Sequence, residues 1–177
     1  MNLEEILKKY NFPTDKHLGH CYVEYFYEKE FLKYKNKNIN FLEIGIHRGG
    51  STALWNKYFD NTKISAVDIA DVVDGPYRNL PNVEYYFGDA YYSEDFFREE
   101  KFDIIIDDGP HTFESQVVFI NKYLPKMKKD GLLIIEDVQD IRWCSTFKEL
   151  TKTFICETID LRPHRNIRDD IMFVVRT

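Results

Sequence analysis

The sequence predicts a single α/β domain: a mostly parallel sheet of seven strands, helices on both faces, and an antiparallel strand at the C-terminal end. Three observations carry this. Short apolar runs alternate with amphipathic helical segments along the whole chain. The apolar runs are near-continuous, the pattern of strands covered on both faces. The 177 residues show no internal repeat, no low-complexity tract and no Pro/Gly/Ser linker, which fits one domain over residues 1–177.

Leu3, Ile6, Leu7 and Tyr10 recur at helical spacing, and Pro13 is read as the stop. His20–Tyr34 reads as a second helix, so residues 1–36 form an N-terminal helical segment. Ile39–Gly45 is a buried strand running into a turn, and Ser51–Phe59 is a helix with Ser51 as its cap. Lys63–Ile69, Val83–Phe87 and Phe102–Asp107 are the next strands. Thr112–Lys129 is predicted as an amphipathic helix, with Phe113, Val117, Ile120, Leu124 and Met127 on one face. Gly131 is its expected C-terminal stop, with Lys126, Lys128 and Lys129 at the negative end of the dipole. Leu132–Ile135 is the fifth strand. Phe154–Leu161 and Ile171–Arg176 close the chain as a hairpin-like pair with a polar connection.

Composition narrows the function. The formal net charge is -6 and the pI about 5.4, so the chain lacks the basic surface that nucleic acid demands. The Lys-rich start and the Arg162–Arg168 region read as solvated charge. Aromatic residues reach 16%, enough for a Tyr-rich core rim and for rings along a pocket. Cys21, Cys144 and Cys156 have no metal-ligand spacing and read as free thiols of a reducing compartment. Met1–Tyr10 is charged throughout, unlike a secretory leader, and no stretch is apolar enough to span a membrane. A cytoplasmic enzyme with no membrane or nucleic-acid partner is expected.

Ligands of open α/β sheets sit beyond the carboxyl ends of the strands, and here four successive strands end in acids or glycines. After the first strand the chain reads Glu43, Gly45, Arg48, Gly49, Gly50 and Ser51 within a glycine-rich turn entering a helix N-terminus. The spacing is G-x-x-x-G-G, not the G-x-G-x-x-G of a pyrophosphate site, and the acid two residues before Gly45 suits a ligand with an ammonium group. Asp68 can accept two hydrogen bonds from ribose hydroxyls. Asp89, between Gly88 and Ala90, can accept one from an adenine amino group.

The series LEIGIHRGGS, AVDI, FGDA, FDIIIDDG and LLIIEDV resembles the motif order of class I S-adenosylmethionine methyltransferases over residues 40–138, and DIMFVV resembles their last strand. This resemblance implies a Rossmann-like methyltransferase fold and S-adenosylmethionine as cofactor. It adds Ile69 and Asp107 to the expected cofactor site. More specifically, Asp107, Asp108, Gly109, Pro110 and His111, followed by Glu136 and Asp137, resemble the metal and base constellation of the macrolide-sugar O-methyltransferases, the mycinamicin and macrocin enzymes. Cephalosporin-biosynthesis proteins and polysaccharide-locus methyltransferases share it. Their D-D-G-S-H has Ser where this chain has Pro110, a change that shifts the loop carrying His111. Thr14, Asp15 and Lys16, with His20 and Tyr22, resemble that family's opening segment, which implies that residues 1–36 cover the cofactor and substrate site.

Chemistry supports the second site independently. Three carboxylates at adjacent strand ends, Asp108, Glu136 and Asp137, repel one another unless a cation joins them. Hard oxygen ligands suit Mg²⁺, whose open positions can take two vicinal sugar hydroxyls and lower the pKa of the bound one. His111 is then the general base, and Asp108 supports it. The expected reaction is Mg²⁺-dependent methylation of a hydroxyl on a glycan, nucleotide sugar or glycosylated small molecule. His47 faces solvent or the methionine moiety, His17 and His164 have no assigned role, Trp55 is core, and Trp143 flanks the acceptor.

Three other readings compete. A catechol-like or other small diol shares the chelation. An NAD-binding oxidoreductase is disfavoured by the glycine spacing and by Met127 standing where Tyr123 would need a lysine. A non-catalytic cofactor-binding module is disfavoured by the intact acids. No inserted lid is evident, so a homo-oligomer or a fused neighbouring domain is expected to complete the acceptor pocket.

Overall fold

A computed structural model describes residues 1–93 and 96–177. Seven strands form one sheet in the order β3-β2-β1-β4-β5-β7-β6. These are β1 (Asn38–Ile44), β2 (Asn61–Asp68), β3 (Val83–Phe87), β4 (Phe102–Asp107), β5 (Met127–Ile135), β6 (Ile155–Asp160) and β7 (Ile171–Arg176). Strands β1 to β5 pair in parallel, and β7 inserts antiparallel between β5 and β6. The expected mostly parallel sheet with an antiparallel terminal strand is thus the observed one. Strand order reverses between β1 and β4, which opens a crevice above their carboxyl ends.

Helices cover both faces, and alternation along each central strand divides the core between them. Phe41, Ile104, Ile106 and Ile134 pack beneath α1 (Leu3–Tyr10), the helical run over residues 22–31 and α4 (Gly50–Tyr58). Leu42, Ile44, Ile105, Leu133 and Ile135 pack under α5 (Phe113–Tyr123) and α6 (Trp143–Leu150). Each such buried side chain contributes about 1.5–3 kcal/mol. No helix among the described residues is long and apolar enough to cross a membrane, and all three cysteines are free.

Local rules account for the departures from the sequence reading. Helix α1 ends at Asn11, whose left-handed backbone closes it two residues before Pro13. The expected helix over 20–34 begins only at Tyr22 and ends at Phe31. Its first part, Val23–Tyr27, is a wide turn in which the Glu28 N–H donates to the Val23 carbonyl five residues back; α3 (Glu28–Phe31) follows. A separate short helix, α2 (Asp15–Leu18), precedes it, with the Thr14 hydroxyl accepting from the Lys16 N–H. Gly49 (φ 87°), not Ser51, opens α4; Ser51 lies inside its first turn.

The helix expected over 112–129 starts as predicted, with Thr112 and Ser115 in a reciprocal capping box, but stops at Tyr123. Pro125 lacks the N–H a continuing helix needs, so the chain makes one tight turn over Leu124–Lys126 and enters β5 at Met127. Gly131 therefore lies within β5, where a bulge separates the Phe102↔Met127 and Ile104↔Leu132 pairs. Helix α6 gave no sequence signal because only Cys144 and Phe147 are buried on it and no side chain caps it.

Candidate functional site

The glycine-rich turn is shaped by close approach of backbone to backbone. Gly45 has φ 85°, and a Cβ there would stand 1.9 Å from the Asp108 carbonyl oxygen, so the ends of β1 and β4 meet only because Gly45 is bare. A Cβ on Gly50 would stand 2.0 Å from the Pro13 carbonyl, which seats the N-terminal segment on the start of α4. Asp68 holds the turn from the β2 side: its Oδ2 accepts from the backbone N–H of Ile46 (3.0 Å) and His47 (2.8 Å). Glu43 acts from beneath. It is fully buried, accepts from Thr52 Oγ1 (2.6 Å) and Trp55 Nε1 (2.9 Å), and burial raises its pKa. Its carboxylate thus braces the turn and does not line the cavity above.

That cavity encloses about 850 Å³. Gly45, Gly50 and Ser51 form one wall; Asp68, Ile69 and Val72 form the next; Gly88, Asp89, Ala90 and Tyr92 close the far side. Asp89 Oδ1 accepts from the N–H of Tyr91 (2.8 Å) and Tyr92 (3.0 Å), fixing that turn. Pro13, Thr14 and Asp15 reach over from the N-terminal segment, and Asp108, Pro110, His111 and Asp137 form the inner end. Arg48 points outward to Asp74 (2.9 Å), and Gly49 serves the backbone turn. Trp143 packs on Phe113 at 5.5 Å, outside this cavity, and Trp55 is core.

At the inner end, ligand atoms of Asp108, His111 and Asp137 all lie within 4.8 Å of one another. His111 Nε2 is 3.6 Å from Asp137 Oδ2 and 3.9 Å from Asp108 Oδ1. Both His111 (φ 55°) and Asp137 (φ 52°) adopt left-handed backbone, a strain of about 1–3 kcal/mol each that concentrates where function is built. Two carboxylates and an imidazole at this separation fit a divalent cation.

Glu136 does not join this group. It is fully buried and accepts from Lys16 Nζ and the Tyr27 hydroxyl. Lys16 Nζ also donates to Asp108 Oδ2 at 2.6 Å. Burial alone would lower the Lys16 pKa, but Asp108, Glu136 and Glu43 around it raise it well above the usual lysine value. Burial raises Glu136 despite Lys16, and burial with Asp108 raises Asp137 against the pull of His20 and His111. Asp137 is further held by the Tyr22 hydroxyl, and His20 Nε2 stands 3.7 Å from it. His20 stacks on Tyr22 (4.8 Å) and turns Nδ1 toward buried Asp170, 3.5 Å away. Lys16, His20 and Tyr22 therefore support the acid cluster and do not line the cavity. Asp107 is also buried, accepts from the Tyr91 hydroxyl, and is raised to about 7 by burial.

Sequence reading missed Tyr27, Tyr91 and Asp170. Tyr27 left a trace as a further tyrosine on the segment that carries Tyr22, and Asp170 as the first residue of DIMFVV.

A family model described as a methyltransferase domain matches residues 42–138. Demethylmacrocin O-methyltransferase of Streptomyces fradiae is 29% identical over 153 residues, covering 80% of this chain and 38% of that protein. Mycinamicin VI 2''-O-methyltransferase of Micromonospora griseorubida is 27% identical over 150 residues, covering 80% and 37%. Among solved structures, the MycE methyltransferase from the mycinamycin biosynthetic pathway, in complex with Mg and SAH, superposes with a TM-score of 0.75 at 23% identity, covering 99% of this chain and 55% of that one. The chain thus spans less than two fifths of the length of these two sequence relatives.

Proposed function

The chain belongs to the methyltransferase domain family, and on that premise we propose that it transfers a methyl group from S-adenosylmethionine to a hydroxyl of a sugar on a small glycosylated molecule, assisted by a divalent cation such as Mg²⁺. One observation carries the reading: Asp108, His111 and Asp137 converge at the inner end of a cavity whose outer walls are the glycine-rich turn, Asp68 and Asp89. The similarity to enzymes named as O-methyltransferases of demethylmacrocin, of mycinamicin VI and of a rhamnosyl tetracenomycin-C supports it.

The donor, when bound, supplies an electrophilic methyl on sulfur; the cation, when bound, supplies positive charge that acidifies an acceptor hydroxyl. The chain's own residues do the rest. Asp68, holding the turn through Oδ2 and accepting from the Ala70 N–H at Oδ1 (3.3 Å), offers the remaining lone pairs of its carboxylate to ribose hydroxyls. Asp89, on the far wall of the cavity, accepts from the adenine amino group in this reading. Asp108 and Asp137 would hold the cation, with His111 beside them; Glu136 acts one step back by fixing Lys16. His111, whose Nε2 faces the same end of the cavity as both carboxylates, takes the acceptor proton. Pro110, beside it on the cavity wall, limits how far this loop can move. Positioning and electrostatics account for most of the rate. A second subunit or a neighbouring domain completes the acceptor side.

Isothermal titration with S-adenosylhomocysteine, followed by methyl transfer from labelled donor to a panel of glycosylated macrolactones and nucleotide sugars, tests the reading. The expected result is product binding by the wild-type protein and by His111→Ala alike, with methyl transfer to a glycosylated acceptor lost in His111→Ala. Absence of S-adenosylhomocysteine binding by the wild type overturns it.

A further inference from the structure

Lys16 stands between two acids that a divalent cation also attracts. Its Nζ donates to Asp108 Oδ2 at 2.6 Å and to Glu136 Oε2, and its side chain is 1% exposed. Asp108 is thus shared: Oδ2 faces the ammonium, while Oδ1 faces His111 and the cation group. A monovalent and a divalent cation on two sides of one half-buried carboxylate repel each other strongly in a medium that screens poorly. The ammonium can leave Asp108 only with a shift of the segment that carries it. It rides on the four-residue helix α2, capped by Thr14, and the preceding Pro13 carbonyl is packed over Gly50.

We infer that Lys16 is a built-in competitor for the divalent cation: it neutralises Asp108 and Glu136 from within the protein, and loading of the cation makes the ammonium give up Asp108. The inference rests on the reading of Asp108 and Asp137 as cation ligands. It makes Lys16 a residue that sets cation affinity and couples it to the seating of the segment over the cavity, since Pro13, Thr14 and Asp15 line that cavity.

Manganese is the probe. Mn²⁺ binding to wild type and Lys16→Met is followed by electron paramagnetic resonance, because methionine keeps the length and removes the charge. Lys16→Met is expected to bind Mn²⁺ at least about tenfold more tightly. Equal or weaker binding by Lys16→Met, with the wild type still binding, overturns this inference alone. Failure of both proteins to bind overturns the cation reading with it, while S-adenosylhomocysteine titration reports separately on the methyltransferase reading. If Lys16→Met does not fold, the wild-type protein decides: hydrogen exchange across residues 14–20 is expected to speed up when Mn²⁺ is added. Unchanged or slowed exchange there refutes the competition.

Discussion

Asp107→Asn is expected to make the protein more stable as the pH rises relative to wild type. The Asp107 carboxyl is 2% exposed, next to Asp108, and burial lifts its pKa from an ordinary 3.8 to about 7. The folded chain therefore keeps a proton that the unfolded chain releases above about pH 4. Wild-type stability owed to this group is whole below about pH 4, falls as the pH climbs to about 7, and is level beyond. The distance from 3.8 to about 7 corresponds to about 4 kcal/mol, and relaxation around the charged form leaves roughly 2–4 kcal/mol to be seen. Asparagine keeps an oxygen for the Tyr91 hydroxyl and has no proton to lose. Urea unfolding of both proteins at pH 4.5 to 8, with chelator and no cofactor, measures the difference. The Asp107→Asn advantage should be small at the acid end and grow to roughly 2–4 kcal/mol at the alkaline end, about 4–16 °C in Tm. A difference that stays flat across this range, or that shrinks as the pH rises, refutes the reasoning.

Two further substitutions test the scaffold of the site. Tyr27→Phe keeps the ring against Phe31 (4.7 Å) and Trp55 (5.0 Å) but removes a donor to buried Glu136, so chemical denaturation should report a loss of about 1.5–3 kcal/mol. Gly50→Ala favours helix α4 by about 1 kcal/mol in propensity but drives a methyl into the Pro13 carbonyl. Its expected signature is faster proteolysis within residues 11–21, with S-adenosylhomocysteine affinity reduced on the order of tenfold while global stability stays near wild type.

Much of this molecule was legible in its sequence, for identifiable reasons. Val83–Phe87 and Phe102–Asp107 are strands at the predicted limits because each is an apolar run bounded by turn residues. The acids and glycines at the strand ends could be placed on one edge because a parallel sheet sends every carboxyl end the same way. What the sequence did not disclose is which acids are already engaged. Glu136 reads as a cation ligand until Lys16, 120 residues earlier, is found against it. Glu43 reads as a ligand for an ammonium group until Thr52 and Trp55 of the next helix are found to occupy it. Such pairings depend on side-chain direction across the sheet, which periodicity does not encode. Pro125 was the one local signal overlooked, and it ends α5 where a longer apolar stripe suggested continuation.

The wide turn at Val23–Tyr27 has a consequence for how this chain can vary in length. By bonding five residues back, it holds Tyr22 and Tyr27 on the same side, where one hydroxyl serves Asp137 and the other Glu136. A regular helix would rotate each residue by about 100°, sending the second ring away from its acid. The spacing between the two rings is therefore fixed from both sides: Val23 and Phe26 between them are buried in the core, and removing any one of the four intervening residues would take a hydroxyl donor from a buried acid.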